Sequence, residues 1–235
     1  MNFKKIASIL SVIVVTGLII YGYILYRDIF GANTKFSENE VYVYIPTDAT
    51  YDEVKNIVAP YIKDMSRFEM VATKKSYPER SDKSGRFLLK KGMNSNEIVN
   101  SLRLNVPVNL AFNNQERLEN FAGRIGSQIE ADSLSLLDAF RDKKFLEENG
   151  FTEENVLSMF VPNSYEFFWN TSAVKFRDRM AKEYRKFWTN DRLEKAKQLN
   201  LTPIQVSILA SIVHKETVKR DERPRVAGVY LNRLQ

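Results

Sequence analysis

The side chain best placed for acid–base chemistry in this sequence is Glu216, and the case begins with the helix that carries it. Thr202-Pro203-Ile204-Gln205 is a strong helix start: Thr as N-cap, Pro at the first helical position and Gln three residues after the cap. The apolar spacing predicts a helix from there to about Lys219. At 100° per residue, Val206, Ile208, Leu209, Ile212 and Val213 lie within roughly 80° of the line through Glu216, so the acid continues the apolar stripe near the carboxyl end. Partial desolvation and the negative end of the helix dipole would both disfavour its carboxylate and raise its pKa. A glutamic acid that stays protonated near neutral pH can serve as a general acid. The same spacing also fits an exposed ion pair with Lys219 at i, i+3 or Arg220 at i, i+4, which would lower that pKa. His214 falls about 160° round the helix from Glu216. It therefore reads as a surface or rim residue, not as a relay partner.

Composition narrows the remaining chemistry. The 235 residues hold no cysteine, which excludes a disulfide scaffold, a thiol nucleophile and every thiolate metal site. A single histidine excludes any metal site that needs two imidazoles. His214-Lys215-Glu216 matches the H-x-E half of the zinc deaminase signature, but that site requires cysteines that this chain lacks. Carboxylates, Lys, Tyr and Ser/Thr remain, so a mechanism built on a carboxylic acid starts ahead. With 44% apolar and 27% charged residues the chain has a core to bury and is not a disordered one. The charge of +6, from 35 Lys and Arg against 29 Asp and Glu, favours an anionic neighbour without choosing between nucleic acid, lipid headgroups and cell wall.

The elements that must position Glu216 divide into three regions. Ile6 to Tyr26 carries no charge and, as a helix, would span roughly 30 Å, about the hydrocarbon thickness of a bilayer. Lys4 and Lys5 precede it, Arg27 and Asp28 nearly cancel after it, and Tyr21, Tyr23 and Tyr26 cluster at its outer end. The pattern predicts a single membrane helix over 6–26, with residues 1–5 in the cytoplasm and the rest outside it. A cleaved signal peptide is the competing reading; the run is longer than usual for one and lacks a small-x-small cleavage site after it.

Residues 40–105 read as a strand, helix, strand, helix module. Val41, Val43 and Ile45 alternate with Tyr42 and Tyr44 up to Pro46; Thr50 with Glu53 caps a helix that Pro60 kinks or breaks; residues 73–86 form an exposed connection; Phe87 to Lys90 is a strand; and Asn94 with Glu97 caps a second helix. At roughly 65 residues it is marginal as a free-standing domain. From 106 on, a short strand over Val108 to Phe112 precedes helices expected over 118–129, about 133–148 (stopped by Asn149-Gly150), 152–160 and 172–188. The run Lys175, Arg177, Arg179, Lys182, Arg185, Lys186 on the last of these is a solvated helix face, with an anionic-ligand role as the alternative.

Two segments carry a specific resemblance. Leu209-Ala210-Ser211-Ile212-Val213-His214-Lys215-Glu216-Thr217 followed by Arg223-Pro224-Arg225-Val226-Ala227-Gly228-Val229-Tyr230-Leu231-Asn232-Arg233-Leu234 resembles the catalytic segment of the MltG/YceG-type endolytic murein transglycosylases. Phe160-Val161-Pro162-Asn163-Ser164-Tyr165-Glu166 resembles that family's Pro-Asn/Asp-Thr-Tyr landmark. The amino-terminal helix and the 40–105 module are similar to the family's anchor and its LysM-like glycan-binding subdomain.

The resemblance implies an α+β fold with a single amino-terminal transmembrane helix, a LysM-like module and a mainly helical part of a catalytic domain over 106–235. It places the catalytic glutamate on Glu216. Where the family usually has a second glutamate, this chain has His214. Asn163, Tyr165 and Asn232 become candidate sugar-binding residues; Asn163 could equally be a turn former, and Tyr165 a core ring with a satisfied hydroxyl. The implied reaction cleaves the β-1,4 bond between N-acetylmuramic acid and N-acetylglucosamine to leave a 1,6-anhydro end, limiting glycan strand length, with no metal or organic cofactor. The implied partners are peptidoglycan strands and the inner membrane, with peptidoglycan synthases as further candidates; the predicted export argues against nucleic acid. The chain stops at Leu234-Gln235 inside an apolar helical pattern where the family continues, so the catalytic domain is expected to be incomplete. The principal rival is a membrane-anchored peptidoglycan-binding or scaffold protein without catalysis.

Overall fold

Local capping and alternation explain most of the elements in the computed structural model, which describes residues 3–233, without the side chains of 3–10, 25, 28 and 29. The chain forms two units, one made of residues up to Pro107 together with Phe168–Asn170, the other of Val108–Phe167 together with residues from Thr171 on.

The first unit opens with helix α1, Phe3–Phe30. The span expected over 6–26 falls partly on side chains outside the described residues. Among the described residues no helix is long and apolar enough to cross a membrane. Val12, Leu18, Tyr21, Tyr23 and Tyr26 on this helix are all exposed.

Strand β1, Glu40–Ile45, pairs antiparallel with β2, Gly85–Lys90, in a register running from Glu40 opposite Lys90 to Ile45 opposite Gly85. The alternation does what a period of two must: Val43, Ile45, Phe87 and Leu89 point into the core, while Tyr42 and Tyr44 face out. Between the strands lie helix α2, Tyr51–Val58, a 3-10 turn over Ala59–Tyr61 and helix α3, Met65–Lys74; helix α4, Ser95–Ser101, follows β2. Thr50 and Asn94 close capping boxes with Glu53 and Glu97. Helix α3 corrects the expectation of one helix between the strands. Pro60 converts the end of α2 into the 3-10 turn, and Asp64 then caps a new helix by accepting the Arg67 N–H, burying Phe68, Val71 and Ala72. At Gly85, φ is +138° and a Cβ would meet the Asn105 side-chain amide, so only glycine fits. Asn105 accepts the Arg86 N–H at 3.1 Å and donates to Asn170 at 3.0 Å, and Asn170 donates to Ser84 at 2.7 Å.

In the second unit, β3, Val108–Phe112, pairs antiparallel with β4, Asn163–Phe167. Helices α5, Leu118–Gly126, α6, Ser133–Phe140, and α7, Lys143–Asn149, follow β3; α8, Ala173–Phe187, follows β4, and α9, Asn190–Gln198, α10, Pro203–Glu216, and α11, Arg223–Arg233, complete the order. The helix expected over 133–148 is two helices, because Asp142 caps a fresh start by accepting the Phe145 N–H; Gly150, left-handed at φ +73°, ends the second. The helix expected after Thr152 is a 3-10 turn, Val156–Met159. Phe121, Phe140, Phe160 and Phe176 form the centre of the core, with Phe121 and Phe160 4.2 Å apart by ring centroid. The basic face of α8 is largely paired. Arg177 is buried, donates to Asp178 and to the Ala139 carbonyl and stacks on Phe145; Arg179 reaches the Glu166 carbonyl, Arg185 reaches Asn149 and Lys186 reaches Glu183.

Asn33, fully buried, ties the segment after α1 to the first core. Its amide donates to the Asp64 carbonyl at 2.8 Å and to Ser95 Oγ at 2.9 Å, and its Oδ1 accepts the Asp64 N–H at 2.8 Å. Asn33→Ala strands these buried partners and should cost about 2 kcal/mol or more, read as faster hydrogen exchange of the β1 and β2 amides.

Candidate functional site

Helix α10 starts as its sequence predicts. The Gln205 N–H donates to Thr202 Oγ1 at 3.2 Å, the Thr202 N–H donates to Gln205 Oε1 at 2.8 Å, and Pro203 occupies the first turn. It ends earlier than expected, at Glu216 instead of Lys219. Thr217 turns extended, with φ −145° and ψ 135°, and its N–H donates to the Val213 carbonyl at 3.2 Å.

The side chain of Thr217 organises the turn between α10 and α11. It is 7% exposed; its Oγ1 donates to Glu222 Oε2 at 2.8 Å and accepts the Lys219 N–H at 3.1 Å, while Lys219 Nζ lies 3.4 Å from Glu222 Oε1. Glu222 in turn offers its carbonyl to the Val226 N–H at 3.0 Å, in the first turn of α11. The 217–222 turn thus folds α11 back on α10, and Tyr230 Oη donates to Glu216 Oε1 at 3.0 Å.

The expected shielding of Glu216 is not found: the residue is exposed. Of α10, only Val213 is buried; Ile208 is 44% exposed, and Val229 of α11 47%. A helical wheel gives the direction of an apolar face, but burial needs a neighbour to cover it. The competing ion-pair reading also changes. Because the helix stops at Glu216, residues 219 and 220 no longer lie one turn above it, and Lys219 pairs with Glu222.

Charge pairing distinguishes Glu216 from nearby acids. Lys215 binds Glu116, and that ammonium, hydrogen-bonded to the carboxylate, holds Glu116 below the usual carboxylate range. Glu222 is held by Thr217 and Lys219. Glu216 instead accepts from a neutral phenol, and the hydrogen bond to its carboxylate, more than desolvation or charge, pushes the Tyr230 phenol above its ordinary value; Arg233, 5.8 Å from the ring, acts the other way. His214 Nδ1 lies 3.4 Å from an Arg223 guanidinium nitrogen.

The other predicted site residues lie on different elements. Asn163 and Tyr165 are on β4, a strand that the reading of Asn163 as a turn former did not anticipate. Asn163 is exposed and its Oδ1 accepts the Ser164 N–H at 2.8 Å. Tyr165 is half-buried and stacks on Phe112 at 5.7 Å; its hydroxyl donates to the Val161 carbonyl at 2.7 Å. Burial, then the Glu183 charge, pushes its phenol up. Its hydroxyl is satisfied within the fold. Asn232 is exposed on α11. Among the described residues no hydrogen bond joins these three to Glu216. Sequence reasoning missed Tyr230, which counts there as one more apolar position of the 226–234 pattern; only the fold brings its hydroxyl to another helix. Among the described residues no group of three His, Asp or Glu side chains could hold a metal ion.

The YceG-like family matches residues 43–235, a span that takes in β3, β4, the Thr217 turn and Glu216. The chain belongs to the YceG-like family. Its fold is similar to the crystal structure of a yceG-like protein from Listeria monocytogenes, with a TM-score of 0.52 over 84% of this chain and 71% of that one at 20% identity. No curated protein matches it.

Because Tyr230 donates a hydrogen bond to a carboxylate, ionising the phenol would set two negative charges side by side. The pair is therefore intact below the ordinary phenol value of 10.0 and is lost as pH rises through the elevated one. Burial also pushes other tyrosines up, Tyr165 among them, so the test is a difference: in an absorbance titration, Glu216→Gln should return one late-ionising tyrosine toward its ordinary range and leave the others in place.

Proposed function

We propose that this YceG-like protein cleaves peptidoglycan strands without water, at the β-1,4 bond between N-acetylmuramic acid and N-acetylglucosamine, and so limits strand length. The observation that supports this most directly is the Glu216 carboxyl, which ends α10 with a neutral phenol as its partner while neighbouring carboxylates are tied to lysines. Protonated, it gives its proton to the bridging oxygen as the C1–O bond breaks. As a carboxylate, it takes the proton of the muramic acid C6 hydroxyl, whose oxygen closes the 1,6-anhydro ring on C1. The proton balance closes on one residue. A hydrolase would need a second carboxylate at roughly 5 to 9.5 Å to act as nucleophile or to activate water.

In this reading the first unit, a two-stranded antiparallel sheet backed by helices, is the LysM-like glycan-binding subdomain, and α1 is the anchor in the inner membrane. Residues 1–5 then lie in the cytoplasm and the remainder in the periplasm or outside the cell. Asn163 and Asn232, both exposed, are candidate sugar contacts, and peptidoglycan synthases are candidate partners.

The exposure of Glu216 favours a second reading, a non-catalytic wall-binding or scaffold protein. Incubation with insoluble peptidoglycan separates the two. Catalysis predicts release of soluble glycan fragments and a loss of about 10²-fold or more in Glu216→Gln. Binding to the sediment with no fragments from the unaltered protein would establish the scaffold reading instead.

A further inference from the structure

A carboxyl group has two oxygens, and acid catalysis requires the proton to sit on the one that faces the substrate. At the end of α10 the two oxygens are not equivalent, because Oε1 accepts a hydrogen bond from Tyr230 Oη at 3.0 Å. The donor comes from a separate helix, α11, whose return onto α10 is set by the buried Thr217 and its bonds to Glu222 and the Lys219 amide. It therefore constrains the carboxyl from outside its own helix, against rotation about the terminal torsion of an exposed side chain.

We propose that Tyr230 is a positioning residue that orients the Glu216 carboxyl and leaves Oε2 as the oxygen that carries the catalytic proton. The proposal rests on the catalytic reading of Glu216 given above and deepens it. With the phenol proton on the Oε1 side, protonated Glu216 holds its own proton on Oε2. That proton passes to the bridging oxygen, and the same Oε2 then receives the proton of the muramic acid C6 hydroxyl, so the phenol exchanges nothing with the substrate. Tyr230 suits this task. Its ring is half-buried on α11 with Arg233 nearby, its hydroxyl reaches out to the carboxyl, and the phenol stays protonated throughout the neutral range.

Several other charged groups on and around these helices have partners of their own. Lys215 faces Glu116, His214 lies beside Arg223, and Lys219 faces Glu222; on α9, which also packs on α10, Asp191 and Lys195 pair at 2.8 Å. The 3-10 turn over Val156–Met159, likewise packed on α10, brings no charge.

The test is steady-state cleavage of peptidoglycan by the full chain carrying Tyr230→Phe, which keeps the ring and removes the hydroxyl, with thermal melting as the control for folding. The expected result is kcat lowered about tenfold with KM within about twofold, as for an interaction that matters in the transition state. A merely structural role would lower the melting temperature and the amount of folded enzyme while leaving kcat per folded molecule unchanged. Tyr230→Phe with unaltered kcat, beside an inactive Glu216→Gln, overturns the positioning role and leaves the catalytic reading standing. An active Glu216→Gln overturns both.

Discussion

The carboxyl end of a helix is an unfavourable place for an acid. The last carbonyls lack amide partners and concentrate partial negative charge, so a carboxylate added there must find donors or remain protonated. Glu216 is the final residue of α10, and the site is organised around that conflict. The Thr217 amide takes up the Val213 carbonyl, His214 and Lys215 place basic groups in the last turn, and Tyr230 reaches across from α11 to the carboxyl itself. Lys215 and Lys219, the nearest lysines along the chain, are paired with Glu116 and Glu222. Glu216 is thus served by a neutral donor, which stabilises an anion less than a full positive charge would. That difference in partners separates Glu216 from the neighbouring acids.

Everything that sets this geometry is short-range. Thr217 is one of few buried polar residues in the second unit, and its hydroxyl acts both as donor to Glu222 and as acceptor for the Lys219 amide. The two helices contribute little burial of their own: only Val213 of α10 is buried, none of the described residues of α11 is, and Val218 in the turn between them is 90% exposed. Hydrogen bonds of the turn therefore do more to place Tyr230 over Glu216 than apolar packing does. The rest of the second unit differs, since a core of phenylalanines around Phe121 and Phe160 and the buried guanidinium of Arg177 tie α6, α7 and α8 together.

Local signals are legible in the sequence and non-local ones are not. Thr50, Asn94 and Thr202 each announce a helix start through bonds that close within three residues, and each forms a capping box. Val43 and Ile45 alternate with Tyr42 and Tyr44, and their faces follow from the pleat. The departures share a cause. Asp64 and Asp142 restart helices after breaks, a competition between caps and apolar periodicity that spacing alone does not decide. Strand β4 takes its identity from a partner, β3, on the far side of three helices. The helical wheel orients Glu216 within α10, yet its exposure depends on what lies over that face, and Tyr230 belongs to a different helix altogether. The resemblance carried by 209–217 and 223–234 supplies the family; periodicity alone reaches no further than an α+β chain with an apolar amino terminus.

One carboxyl group acting in turn as acid and base is the centre of this account, and the fate of solvent oxygen tests it most directly. Peptidoglycan should be digested by the protein in water enriched in oxygen-18 and the muramic acid ends analysed by mass spectrometry. Attack by the C6 hydroxyl predicts 1,6-anhydro ends, lighter by one water than hydrolytic ends and free of the heavy isotope. Reducing ends that carry oxygen-18 would show that water is the nucleophile and would contradict the account.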